Sequence, residues 1–537
     1  MRDALFARAN HRSGVLVIPA IMAPPKTQIR NLKRGKHILF AAEFSKKEPP
    51  ADPITVHGHW KRDDPVSAPL AIQLLEKVPT VEKPAAAGRR RVVIVGAGFA
   101  GIAAARALRR SDADVVLIDR RNHNIFQPLL YQVATAVLAA PDIAAPVRQL
   151  VARQANLSVT LAEVTSINPD SRTIDVCCPR IGFRKIPFDF LVVATGVRPS
   201  YFGHDEFALY APSLKNLSDA ETIRAKILSA FETAESTDDK AERARQMTFV
   251  LVGAGPTGVE LAASMAHMVA HTLRGNFRQI YPAQSTIILI EAGNRILPSF
   301  AETLSKKAAR RLQKLGVKVE TGVKVDRVDA QGVIAGGTQI PSATVLWTAG
   351  VAASPIVKML GAKTDRAGRV PVGPFMNVPD LPDVFVIGDA ASAMQNGRPV
   401  PGVAQAAIQQ GRYVGRLISA QLKGQEPKRP FRYFNKGTIA VVGKNFAVLE
   451  AGWLRISGFI AWLAWVFVHL MTLPQLQNRL RVQRQWLWSY FTGQRGSRVI
   501  SEDYEQLELT QSRADVSRRR LSSTSATDMS TEINAAS

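Results

Sequence analysis

Two glycine-rich turns carry the chemistry that this chain can be read for. Gly96-Ala97-Gly98-Phe99-Ala100-Gly101 follows the apolar run Arg91-Val92-Val93-Ile94-Val95, and Gly253-Ala254-Gly255-Pro256-Thr257-Gly258 follows Thr248-Phe249-Val250-Leu251-Val252. A turn of this kind presents backbone N–H groups at a helix N-terminus, where a pyrophosphate is stabilised. Each turn also has an acidic residue at the end of a later strand-like run, Asp119 after residues 115–118 and Glu291 after residues 286–290. A carboxylate there accepts hydrogen bonds from the ribose hydroxyls of a bound nucleotide. One GxGxxG is a weak signal. Two, each with its own carboxylate, imply two dinucleotides in one chain and electron transfer between them.

Other segments must position these turns. The 102–110 segment is Ala-rich and reads as the helix after the first turn, and the second turn leads into a helix through Glu260-Leu261-Ala262-Ala263. The region 157–193 reads as a β-meander that ends in Ala194-Thr195-Gly196. Small residues there let backbone approach a cofactor. The matching feature of the second half is Trp347-Thr348-Ala349-Gly350. The gap between Gly258 and Glu291 is longer than a minimal βαβ unit needs, and residues 267–284 fill it as extra helix and loop. The run Val384-Phe385-Val386-Ile387 ends in Gly388-Asp389, and a helix after it carries Gln405 and Gln409 on one face.

Composition narrows the class. The chain of 537 residues is long enough for two or three domains with a large core. Its net charge of +25 suits an anionic partner. No nucleic-acid module accompanies that charge, so a lipid surface is expected and nucleic acid is not. The two cysteines, Cys177 and Cys178, are adjacent, which argues against a disulfide framework and for a reducing compartment. No metal-ligand spacing stands out, and no signal peptide of ordinary form is visible.

Several further stretches resemble the type II NADH:quinone oxidoreductases, single-subunit respiratory dehydrogenases. They are Phe126-Gln127-Pro128-Leu129-Leu130-Tyr131-Gln132-Val133-Ala134-Thr135, the turn beginning at Gly253, the AQxxxQ pattern within residues 401–411, Phe431-Arg432-Tyr433 with Lys436-Gly437, and Ala461-Trp462-Leu463-Ala464-Trp465-Val466-Phe467-Val468-His469-Leu470. The resemblance runs from about residue 91 to residue 500. One departure is Pro379, which stands where the general flavoprotein motif ending in Gly-Asp usually opens with Thr.

The resemblance implies an α/β fold with two Rossmann-like domains, an FAD domain interrupted by an NADH domain, and C-terminal amphipathic helices that bind a membrane. The expected divisions are a basic extension (1–88), the FAD domain (89–245 and 371–450), the NADH domain (246–370), an anchoring region (451–495) and a tail (496–537). FAD is expected on Gly96, Gly98 and Gly101 with Asp119, Thr195, Gly196, Gly388 and Asp389. NADH is expected on Gly253, Gly255, Thr257 and Gly258 with Glu291, Ala349 and Gly350. Glu291 favours NADH over NADPH, and Arg295 stands close enough in sequence to soften that preference. By resemblance, Gln405 and Gln409 line a quinone pocket, Lys436 lies near flavin and quinone, and Glu260 lies near the nicotinamide. Read from residue type alone, the glutamines are also ordinary helix-face polar groups, Lys436 a surface charge, and Glu260 a carboxylate near a helix N-terminus.

The acceptor implied is a membrane quinone, ubiquinone or menaquinone, reduced without proton pumping. Residues 456–473 carry no formal charge, and ~1.5 Å rise per residue makes such a helix about 27 Å long. It reads as an in-plane interfacial helix, a single span, or a buried helix with an amphipathic cover. Arg479, Arg481 and Arg484 interleaved with Trp486, Trp488, Tyr490 and Phe491 favour the in-plane reading. The expected location is the cytoplasmic face of a bacterial inner membrane as a peripheral protein, ahead of the mitochondrial inner membrane. The resemblance leans toward a homodimer. A reductase for a protein acceptor and a flavin- and NADH-binding signalling protein are the competing functions.

Overall fold

The computed structural model describes residues 88–426 and 429–500, with short strand segments between Ala9 and His57. Most of the expected N-terminal extension and tail therefore lies outside the described residues. The backbone divides into two units. Residues 160–187 belong to one, and residues 85–159 and 188 onward form the other.

Two parallel sheets organise the larger unit. In the first, strands run in the order Ala113–Asp119, Arg90–Val95, Phe190–Val193 and Leu381–Val386, with Asn377–Val378 antiparallel beside the last. In the second the order is Val317–Thr321, Thr286–Glu291, Thr248–Val252 and Thr344–Trp347. Central strands of both sheets are buried along their length, which is why they read as continuous Val/Ile/Leu runs rather than alternating ones. A glycine turn leaves the C-terminal end of one central strand in each sheet. The antiparallel pair of Val197–Pro199 with Val351–Ala353 carries the chain between the two halves.

The smaller unit holds the antiparallel sheet Glu163–Asn168, Thr173–Cys178 and Gly182–Pro187. This corrects the reading of 157–193 as one meander. Phe190–Val193 pairs in parallel with Arg90–Val95 instead, and the run at 159–161 is likewise outside the antiparallel sheet. The physical reason is burial. Phe190–Val193 is apolar on both faces and needs a central position, whereas Gly182–Pro187 alternates between half-buried and exposed residues.

The uncharged run 456–473 is also divided. Its first residues finish the strand Leu454–Gly458, and Gly458 at φ +94° turns the chain into the helix Phe459–Thr472. Fourteen helical residues reach about 21 Å, short of a ~30 Å hydrocarbon core. No helix among the described residues is long and apolar enough to cross a membrane, which removes the single-span reading. The extra segment after Gly258 is the helix Pro256–His267, a π-turn at Met268–Thr272 and a short 3-10 turn at Pro282–Gln284.

Candidate functional site

The two turns are built alike. Gly98 and Gly255 are the N-caps of the helices Phe99–Ala107 and Pro256–His267. Neither helix has a side-chain cap or an acidic first turn, so its leading N–H groups are left for an anion. The outer glycines are required by the protein itself. A Cβ on Gly101 would lie 1.8 Å from the Gly96 carbonyl oxygen, and one on Gly258 would lie 1.9 Å from that of Gly253. Gly96 and Gly253 take positive φ and press against Ala194 and Ala349. The middle glycines differ, because a Cβ on Gly98 or Gly255 would meet no protein atom within 4 Å. Open space above the helix N-terminus is where a pyrophosphate would approach. Thr257 is exposed at the start of its helix.

Each carboxylate reaches back to its turn. Asp119 accepts from the N–H of Ala97 at 2.6 Å and of Arg121 at 2.8 Å. Glu291 accepts from Ala254 at 2.7 Å and Gly293 at 2.8 Å. Arg295 is turned away, donating to the carbonyls of Phe300 and Pro298 at 2.8 and 2.9 Å.

Around the first turn, the Thr195 hydroxyl oxygen is buried without a partner, and Gly196 follows it at φ +64°. The Gly388 N–H donates to Gln410 at 2.6 Å. Burial raises the Asp389 carboxyl above its ordinary value, against the pull of Lys215 and Arg369. Burial lowers the Lys215 ammonium, against Asp389 and Asp219. An orphaned hydroxyl, an open helix N-terminus and the half-buried, neighbouring Asp389 and Lys215 fit a phosphate-bearing flavin nucleotide. Lys215 had no sequence signal, because it stands in a loop far from any motif. Gly350, at φ +67°, lies against Phe202 and Ser200 on the other side of the interdomain strands.

A cavity of about 440 Å³ lies between three elements: the helix after the second turn, the Tyr131-Gln132 segment and the C-terminal helices. Glu260 reaches it from the Pro256–His267 helix. Burial pushes its carboxyl up to about 8, opposed by a 3.2 Å hydrogen bond from the Val441 N–H. At neutral pH it is therefore largely a protonated acid. Tyr131 is fully enclosed, and burial and the nearby Glu260 hold its phenol well above the usual range. Arg495 enters from beyond the last helix and donates to the carbonyls of Thr135 at 2.7 Å and Ser264 at 2.9 Å. Burial lowers its guanidinium to about 9. One buried cation thus ties the C-terminal segment to both nucleotide-binding halves.

The structure gives Gln405, Gln409 and Lys436 different company. Gln405 donates to the Gly437 carbonyl at 2.8 Å and accepts from the Lys436 N–H at 3.1 Å. Gln409 exchanges two 2.9 Å hydrogen bonds with the backbone of Phe434. Both glutamines clamp the 434–437 loop, and the exposed Lys436 side chain rides on it. None of the three lines the cavity that Glu260 faces.

The C-terminal helices Phe459–Thr472 and Leu476–Thr492 bury Ala461, Trp465, His469, Asn478 and Val482. Phe459, Ile460, Phe467, Met471, Trp488 and Phe491 stay exposed. No group of His, Cys, Asp or Glu among the described residues is arranged to hold a metal.

Two Rossmann-like turns, each with a strand-end carboxylate bonded back to it, and a cavity beside one of them point to an oxidoreductase of the two-dinucleotide class. The pyridine nucleotide-disulphide oxidoreductase family model matches residues 90–411. The chain is 43% identical over 445 residues to the type II NADH:quinone oxidoreductase NdhA of Mycobacterium tuberculosis, covering 80% of this chain and 93% of the relative. It is 42% identical to Ndh of the same organism with the same coverage. The structure of NDH2 from Plasmodium falciparum in complex with NADH superimposes with a TM-score of 0.70 at 19% identity, over 76% of this chain and 99% of that one. The chain belongs to the type II NADH:quinone oxidoreductases.

Proposed function

We propose that this chain is a respiratory NADH dehydrogenase that uses FAD to pass two electrons from NADH to a membrane quinone, without pumping protons. The observation that carries the reading is one helix, Pro256–His267, which begins at the second glycine turn and places Glu260 in the wall of the cavity. Donor site and acceptor cavity are thereby linked by a single rigid element.

FAD would be held by Gly96, Gly98 and Gly101, with Asp119 at its ribose and Thr195, Gly196, Gly388, Asp389 and Lys215 along its length. When bound, it accepts a hydride equivalent from the nicotinamide and supplies the electron pair to the acceptor. NADH would be held by Gly253, Gly255, Thr257 and Gly258, with Ala349 and Gly350 giving room. Glu291 accepts ribose hydroxyls and repels a 2′-phosphate. Both terminal nitrogens of Arg295 are engaged by carbonyls, which disfavours a direct pair between it and a 2′-phosphate. The protein's own contribution is alignment, exclusion of water and a held proton at Glu260.

The quinone headgroup would enter the cavity past the C-terminal helices, whose exposed aromatic and aliphatic side chains dock on a lipid surface. Gln405 and Gln409 would act on the quinone end by fixing the loop that carries Lys436. The expected setting is the cytoplasmic face of a bacterial inner membrane. A protein acceptor is not favoured, since it gives no reason for the exposed apolar side chains.

Steady-state quinone reduction tests the reading. NADH is expected to support turnover and NADPH to be a poor donor, with Glu291→Ala narrowing the difference by roughly ten- to hundredfold. Equal use of both donors by the unmodified protein would remove Glu291 from its role. Reconstituted protein is expected to acidify neither side of a vesicle during turnover.

A further inference from the structure

The cavity wall holds one buried hydrogen-bond donor without a partner and two further proton-bearing groups. Trp465 lines it, and its indole Nε1–H is buried and unpaired. Tyr131 lines it too, and its oxygen only accepts, from the Gln132 amide nitrogen at 3.0 Å. Glu260 adds a third group that carries a proton at neutral pH. A mainly apolar wall that also offers donors suits a ligand with acceptor atoms, such as a carbonyl compound.

The direction of the Tyr131 hydroxyl is set from a distance. Trp486, on the exposed helix Leu476–Thr492, donates its indole N–H to the Gln132 Oε1 at 2.7 Å. An indole N–H can only donate, so Gln132 must turn its oxygen toward Trp486. Its amide nitrogen is then left to face Tyr131, whose oxygen must accept. The phenol proton is thereby left to point away from Gln132, on a residue that lines the cavity.

We propose that the Tyr131 hydroxyl is the hydrogen-bond donor to a quinone carbonyl in this cavity, with Gln132 and Trp486 as positioning residues that fix its direction from the membrane-facing helix. This rests on the quinone reading of the cavity given above. No proton leaves Tyr131. Burial keeps it a phenol, and its hydrogen bond stabilises the negative charge that gathers on the carbonyl oxygen as the electron pair arrives from the reduced flavin. The hydride of NADH brings two electrons and one proton, and the solvent brings the second proton, to convert quinone to quinol, and Tyr131 supplies neither electron nor proton. The C-terminal helix is therefore part of the acceptor site as well as its cover.

The test uses the full-length flavin-loaded protein, reduced with NADH and mixed with a short-chain ubiquinone. Tyr131→Phe is expected to slow flavin reoxidation by quinone roughly ten- to hundredfold. Flavin reduction by NADH and reoxidation by ferricyanide, which needs no carbonyl hydrogen bond, are expected to keep their rates. Trp486→Phe is expected to cost the quinone step less, and to have no further effect in the Tyr131→Phe background. An undiminished Trp486→Phe effect in that background would overturn the relay. Val466→Trp, which fills the cavity, separates the two levels of the argument. If it blocks quinone while Tyr131→Phe does not, the cavity holds quinone and the Tyr131 assignment is wrong. If neither variant slows quinone, the cavity reading has failed and the assignment with it.

Discussion

The two glycine turns share a backbone solution and differ in what stands behind them. Behind the first, the helix Phe99–Ala107 is crossed by Ala404–Gln421 at very close range. A Cβ on Gly411 would lie 2.1 Å from the Ala100 carbonyl oxygen, and one on Gly415 would lie 2.6 Å from that of Ala104. At both glycines this face is backbone on backbone. Behind the second, the helix Pro256–His267 presents Glu260 to a cavity and offers the Ser264 carbonyl to Arg495. On the proposed reading, one turn would hold a resident cofactor in a rigid cradle. The other connects a nucleotide site to a proton-bearing carboxyl and to the C-terminal helices.

The comparison can be broken at its shared part first. Gly101→Ala and Gly258→Ala each push a methyl into a carbonyl oxygen of the same turn, and each should cost at least about 4 kcal/mol or prevent folding of that half. Thermal unfolding and soluble yield report this. Gly98→Ala and Gly255→Ala should leave the fold intact, because their methyl groups meet no protein atom. The first should weaken flavin retention and the second NADH affinity, each by roughly tenfold or more, about 1.4 kcal/mol. Flavin content and NADH titration separate them. Equal loss of both ligands in either variant would contradict the assignment of one turn to each.

The difference between the turns is sharpened by Arg495 and Glu260. Arg495→Met leaves the Thr135 and Ser264 carbonyls without their buried donor and should destabilise the protein by about 2–4 kcal/mol. Differential scanning calorimetry reads the change, and the C-terminal segment should become the first site of limited proteolysis. Glu260 sets a pH dependence. Its carboxyl titrates near 8 when folded, against an ordinary value of 4.5. Between those values the folded chain keeps a proton that the unfolded chain has lost, so stability falls as pH rises through that window and levels off above it. Glu260→Gln should flatten this part of the stability profile. Flavin reoxidation by quinone should likewise slow as pH rises through about 8, and Glu260→Gln should remove that inflection.

Local backbone demands made much of this legible in sequence. Gly96, Gly101, Gly253 and Gly258 are forced by contacts inside their own turns, and Asp119 and Glu291 stand at fixed strand ends, so residue type and spacing carry the information. Phe190–Val193 was not legible as a central strand, since a short apolar run does not say which sheet receives it. The cavity was legible only in part. Glu260 came through resemblance, whereas Trp486 and Gln132 meet across 354 residues and Arg495 and Thr135 across 360. No local pattern encodes such a pairing. Gln405 and Gln409 were found by motif, but their hydrogen bonds to the 434–437 loop depend on a tertiary contact that the motif does not specify.

The central claim is that donor and acceptor half-reactions meet through one chain, and anaerobic rapid mixing tests it most directly. Flavin absorbance is followed after addition of NADH and then of a short-chain ubiquinone. The account predicts fast bleaching by NADH, much slower bleaching by NADPH, and prompt recovery with quinone. Bleaching without recovery would contradict the acceptor cavity, and no bleaching by NADH would contradict the second glycine turn as the source of hydride.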